Sequence, residues 1–226
     1  MSVLGAAWLI ARKDLVVEAR SRELAYTTVF FALACVLVFA FSFVREGRVL
    51  EGVPAGILWV TITFAGTLAL SRAFERERQG ETLRALLLTP VERASIYLGK
   101  LLGLVLLLLF VEAIIVPIVG LLFGAAILRA PGLLVGLLVT GTIGLAAVGT
   151  LFAAMLVRAH SRDVLLPLLL YPIAVPVVIA GALGTAAIFA PEPNLAFARA
   201  WLAMLVFFDA VFLTLSLWTF GPVMSE

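Results

Sequence analysis

The stretch "GLLVGLLVTGTIGLAAVGTLFAAMLVRAHSRDVLLPLLLYPIAVPVVIAG", Gly132 to Gly181, holds two apolar runs separated by one short charged turn. The first run carries no charge before Arg158, and the second carries none after Asp163. A helix crossing a hydrocarbon core about 30 Å thick needs about 20 residues. The first run exceeds that length, and the second reaches it by continuing uncharged past Gly181 to Pro191. The runs are continuous rather than alternating, which argues against the strands of a membrane barrel. Helices are the other solution, because they satisfy their backbone groups internally where no water is present. Two membrane helices joined by a basic turn is therefore the reading.

The same test applied outward gives six spans, at about 24–44, 53–71, 98–124, 131–157, 164–190 and 199–221. They form a single membrane domain over residues 1–226. Composition agrees: 64% of residues are hydrophobic and 13% charged, against roughly 45–50% and about 25% in a soluble domain. A net charge of +2 gives no reason to expect nucleic acid as a partner. The N-terminal run precedes its charges instead of following them, unlike a signal peptide.

Within residues 1–22, Leu4, Trp8, Ala11 and Leu15 recur at helical spacing, with Arg12, Lys13 and Asp14 off that stripe. This predicts an amphipathic helix in the membrane interface, with Trp8 at headgroup depth. The expected class is thus all-α and integral to the membrane: an interfacial helix followed by six spans. Lys and Arg set the orientation. Twelve lie before span 1 and in the 2–3 and 4–5 loops: Arg12, Lys13, Arg20, Arg22, Arg72, Arg76, Arg78, Arg84, Arg93, Lys100, Arg158 and Arg162. Only Arg45, Arg48, Arg129 and Arg199 fall on the other side. Both termini are expected in the cytoplasm, and the outer loops are too short to form a domain.

Polar residues inside the spans are few. Glu112 and Asp209 each admit two readings, because an ionised carboxylate costs at least about 2.5–3.5 kcal/mol at bilayer depth. One is a structural hydrogen bond to a neighbouring helix, favoured by the lack of a basic partner inside the membrane. The other is a gate, proton or substrate-path residue. Pro167, Pro172 and Pro176 in span 5 suggest either a hinge or unwound segment or static kinks. Gly132, Gly136, Thr140 and Gly144 recur every four residues, as do Gly99 with Gly103 and Gly120 with Gly124. Such spacing lets helix backbones approach closely, within one subunit or between two. Cys35, the lone cysteine, reads as a buried inert thiol. His160, the lone histidine, lies in the turn with Arg158, Arg162 and Asp163 and has no convergent partners for a metal. No HExxH or GxSxG occurs. The nearest approach to a phosphate loop, "ASIYLGKL", lacks the first glycine and the Ser or Thr after Lys100. Any ATP must come from elsewhere.

The densest charge lies in "RAFERERQGETLRALLLTPVERASIYLGK", Arg72 to Lys100. Topology explains its arginines but not Glu75 and Glu77, Gly80, or the apolar "LRALLL" before Pro90. This order resembles the loop between helices 2 and 3 of six-span ABC transporter permeases. That resemblance implies a coupling helix within residues 72–97 that docks a separate ATPase dimer, using Glu75, Glu77, Gly80, Leu83, Arg84, Leu87 and Pro90. A narrower resemblance spans nearly the whole chain. "KDLVVEARSRELAYTTVFFALACVLVFAFSF", "GTIGLAAVGTLFAAMLVRAHSRDVLLPLLLYPIAVPVVIAG" and "FDAVFLTLSLW" are similar to the cytochrome c maturation B family of haem-exporter permeases. It implies the bacterial inner membrane, haem as the candidate substrate with no cofactor bound by this chain, and ATP through the partner. The implied partners are the ATPase, a haem-handling membrane subunit, a small membrane subunit and a periplasmic haem chaperone. An ATPase dimer would in turn call for two permease copies, or one copy beside another six-span subunit. The ATPase cycle would then drive haem export or release of the loaded chaperone. Two alternatives stand beside it: an ABC permease for a lipid, drug or saccharide, and an assembly scaffold that transports nothing.

Overall fold

The computed structural model describes residues 2–43, 52–79, 91–156 and 161–223, of which 75–79, 162 and 223 are described for their backbone only. Seven helices and no strand occur among the described residues: α1 (Val3–Ser21), α2 (Glu23–Phe43), α3 (Val53–Gln79), α4 (Arg93–Phe123), α5 (Pro131–Met155), α6 (Arg162–Phe189) and α7 (Leu195–Val223). The last six are each long and apolar enough to cross a membrane. The protein is therefore an all-α membrane protein.

Local chemistry sets the helix ends. Ser2 caps α1 by accepting a hydrogen bond from the Gly5 N–H, 3.3 Å away. Arg22 ends α1 in the left-handed region, at φ 56°. Glu18 bridges the resulting elbow, since its carboxylate accepts the Ala25 N–H of α2 at 2.7 Å. Gly124 closes α4 at φ 64°, where a side chain would be strained. Pro131 sits in the first turn of α5, where its missing N–H costs nothing. Arg129 ties two turns at this end of the bundle together by donating to the Ala190 and Pro191 carbonyls.

α3 and α5 form the centre. α3 packs against α2, α4, α5 and α6, and α5 against α3, α4, α6 and α7. Burial follows this order: 72% of the apolar window of α3 lies inside the bundle, against 17% for α7. α1 packs along α4. The interface is Ala6, Ala7, Ile10 and Ala11, while Leu4 and Trp8 of the expected stripe stay on the outer surface. α1 thus has a protein-facing side that the stripe did not reveal.

Two further expectations are revised. Lys100, grouped with the loop charges, lies inside α4 and is buried. α6 stays helical through Pro167, Pro172 and Pro176, so no unwound segment forms there. Helices at this depth accept proline where neighbours satisfy the freed carbonyls, and α6 is flanked by α3, α5 and α7.

Candidate functional site

The charged stretch is carried by two helices. α3 continues to Gln79 and α4 begins at Arg93, so both ends of the stretch are helical. Glu75 and Glu77 fall in the last turns of α3. Gly80, Leu83, Arg84, Leu87 and Pro90 lie outside the described residues, as do Arg158 and His160 of the α5–α6 turn. Arg162 and Asp163 open α6, with Asp163 exposed. Arg93, at the start of α4, donates to the Gly221 carbonyl of α7 at 2.6 Å. The end of α7 therefore sits at the same end of the bundle as this loop.

α3 is fixed by side chains that enter notches left by glycines. The indole of Trp59 is 1% exposed and lies against both Gly141 of α5 and Gly181 of α6. A β-carbon on either glycine would stand little more than 2 Å from the ring, at 2.1 Å and 2.2 Å. Thr185 of α6 accepts the indole N–H at 3.0 Å. About three turns further along α3, Leu70 fills the space beside Gly149, where a β-carbon would come within 2.3 Å. Leu145 of α5 reciprocates over Gly66 of α3. A shift of α3 along its axis must therefore displace α5 and α6 or open cavities.

α4 is fixed differently. A β-carbon on Gly99 would stand 2.8 Å from the Ala7 carbonyl oxygen and 2.7 Å from Ile10 Cβ, so α1 and α4 meet almost backbone to backbone. Beside this crossing, Lys100 Nζ lies 2.7 Å from Asp14 Oδ2. The Lys100 side chain is 7% exposed and that of Asp14 30%. The second Asp14 oxygen pairs with Lys13 at 3.0 Å. Tyr97, also buried, donates to the Ala147 carbonyl of α5 at 3.0 Å and packs on Phe220.

Glu112 and Asp209 sit deeper, on opposite sides of α5. Thr142 donates to one oxygen of Glu112, the structural hydrogen bond expected from the sequence. Asp209 faces Gly144, and no hydrogen-bond partner for its Oδ1 occurs among the described residues. Thr142 and Gly144 are two residues apart, about 200° around a helix. The carboxylates therefore do not form a pair. The four-residue glycine stripe divides as well. Gly136 and Gly144 meet α7 within this chain, whereas among the described residues nothing comes within 4 Å of where a Gly132 side chain would begin. Cys35 is half-buried.

Sequence reading missed Trp59 and the Asp14–Lys100 pair. The first had a signal, since Gly141 and Gly149 recur at two helical turns and a tryptophan stands alone in span 2. The second had none, because its partners are 86 residues apart.

The comparisons with known proteins cover nearly the whole of this architecture. The chain is similar to "Heme exporter protein B" of Pseudomonas aeruginosa, with 30% identity over 173 residues, or 76% of this chain and 77% of that protein. The model of the CcmB protein family matches residues 5–224, which takes in all six spans and the loop between α3 and α4, and the chain belongs to that family.

Proposed function

We propose that this chain is the permease subunit of a haem exporter in c-type cytochrome biogenesis, coupling a separate ATPase to movement of its helices. Membership of the CcmB family and the similarity to a haem exporter subunit support the reading. One observation carries the division of labour. The chain lacks a phosphate-binding loop, yet the densest charge in its sequence joins its most buried helix, α3, to α4. In this account the 72–97 stretch lies in the cytoplasm with both termini, in a bacterial inner membrane. Leu83 and Leu87 supply an apolar face to the ATPase, Arg84 pairs with an acidic surface, Glu75 and Glu77 border the site, and Gly80 and Pro90 delimit the docking helix. The second loop, Arg158 to Asp163, adds a minor contact.

Closure of an ATPase dimer, one ATPase to each of two permease copies, would push this helix. α3 would pass the thrust to α5 and α6 through Trp59 and Leu70. Pro167, Pro172 and Pro176 let α6 bend without losing its core contacts, and Glu112 and Asp209 lie along the moving surfaces of α5. The outer turns then act on a haem-handling membrane subunit, a small membrane subunit and the haem chaperone. The stroke moves haem or releases the loaded chaperone, and haem is substrate, not a group held by this chain. Replacing Leu83 and Leu87 by Asp tests the docking. The expected result is loss of ATPase from washed membranes and loss of cytochrome c assembly at an unchanged level of the chain. Retained ATPase with normal assembly would refute it.

A further inference from the structure

We propose that α1 and the first turns of α4 form one rigid unit, locked by Asp14 and Lys100, that takes the thrust of the loop on the α4 side. The inference rests on the reading that a separate ATPase acts on that loop. Asp14 and Lys100 are positioning residues, since neither touches substrate or nucleotide.

Three observations carry it. Lys100 begins the third turn of the helix that leaves the loop, and its ammonium is withdrawn from solvent against a carboxylate of another helix. Asp14 spans two cations, Lys13 on its own helix and Lys100 on α4, so its carboxylate has little freedom to rotate away. Next to the pair, Gly99 lets the two backbones meet so closely that a β-carbon there would stand 2.8 Å from the Ala7 carbonyl oxygen, which fixes the crossing point of α1 on α4. A lysine buried merely to fill space could be replaced by an apolar residue. One that sets the register between two helices needs its charged partner. The elbow at Arg22, bridged by Glu18, extends the unit into α2. Force on α4 would therefore reach α2 through α1 as well as by direct packing.

The test uses the whole complex in membranes and exploits the single native cysteine. In a Cys35→Ala background, Ala11→Cys and Gly103→Cys place two thiols at the crossing, since a β-carbon on Gly103 lies 4.0 Å from Ala11 Cα. The lock predicts that oxidising this pair leaves ATPase activity and cytochrome c assembly unchanged, because the helices already move together. Asp14→Asn should lower assembly on the order of tenfold at equal protein level, the scale of coupling losses at residues that touch neither site. The disulfide, or the charge swap Asp14→Lys with Lys100→Asp, should restore it. If oxidation abolishes activity that the reduced form retains, α1 must slide on α4 and the proposal is overturned. Normal assembly in Asp14→Asn, or no rescue by either device, also overturns it. Failure of the underlying reading looks different, since the unmodified chain would then retain no ATPase in membranes.

Discussion

α3 and α4 leave the same loop, but they are held in different ways. α3 sends large side chains into glycine notches on two neighbours, so its position depends on shape. α4 meets α1 along a glycine surface with an ion pair beside it, so its attachment to α1 depends on backbone approach and charge, while Tyr97 and Glu112 bond it to α5. Shape complementarity is stiff in every direction, because any displacement opens a void or a clash. An ion pair beside a close crossing resists sliding and rotation yet adds little bulk. The difference suggests that α3 transmits thrust into the centre of the bundle, while α4 is braced at its edge.

Substitutions can break the two attachments separately. The largest effect should come from Trp59→Ala, at about 3–5 kcal/mol for an aromatic side chain removed from a packed core. Unfolding of the detergent-solubilised protein should show that loss, and hydrogen exchange should rise in α3 and α6 while the α1–α4 crossing stays protected. Gly99→Leu comes next, at about 3 kcal/mol, because the obstacle is backbone and cannot turn aside. Gly103→Ala is its control. The added methyl there meets only ordinary contacts at 3.8 Å and 4.0 Å, so stability should hold within about 0.5 kcal/mol. The ion pair should then show asymmetry. Asp14→Asn takes a carboxylate from beside a buried ammonium and should cost about 2–3 kcal/mol. Lys100→Met leaves Asp14 partly exposed and paired with Lys13, so its cost should stay below about 1 kcal/mol. Equal losses in the two would mean that the pair is not the feature holding α4.

Much of the fold was legible because the membrane simplifies the code. Continuous apolar runs of sufficient length can only be helices, so all six spans could be read from hydropathy. The same argument, that a lone carboxylate with no basic neighbour bonds to a polar group of the next helix, held for Glu112, which meets Thr142, but found no partner for Asp209 Oδ1 among the described residues. Three things were hidden. Lys100 counted as a loop charge because periodicity cannot show that a residue 86 positions away neutralises it. The inner face of α1 was obscured because three of its four residues are alanines, and Ala11, read into the membrane-facing stripe, turned out to face α4. The prolines of α6 left an unwound segment and static kinks equally open, because a sequence does not show which neighbours will cover the freed carbonyls. The candidate docking residues rest on a surplus in the sequence alone, acids, a glycine and an apolar turn that topology does not require, and Gly80, Leu83, Arg84, Leu87 and Pro90 lie outside the described residues.

The central claim is that an ATPase docks on the loop between α3 and α4. Two single-cysteine forms of the chain, each in a Cys35→Ala background, test it most directly. One carries Leu83→Cys in the loop, and the other Ile127→Cys in the turn after α4, at the opposite end of the bundle. A thiol-anchored cross-linker should capture the ATPase from position 83 and not from position 127. Capture from position 127 alone, or from neither position while the ATPase stays bound to the complex, would contradict the account.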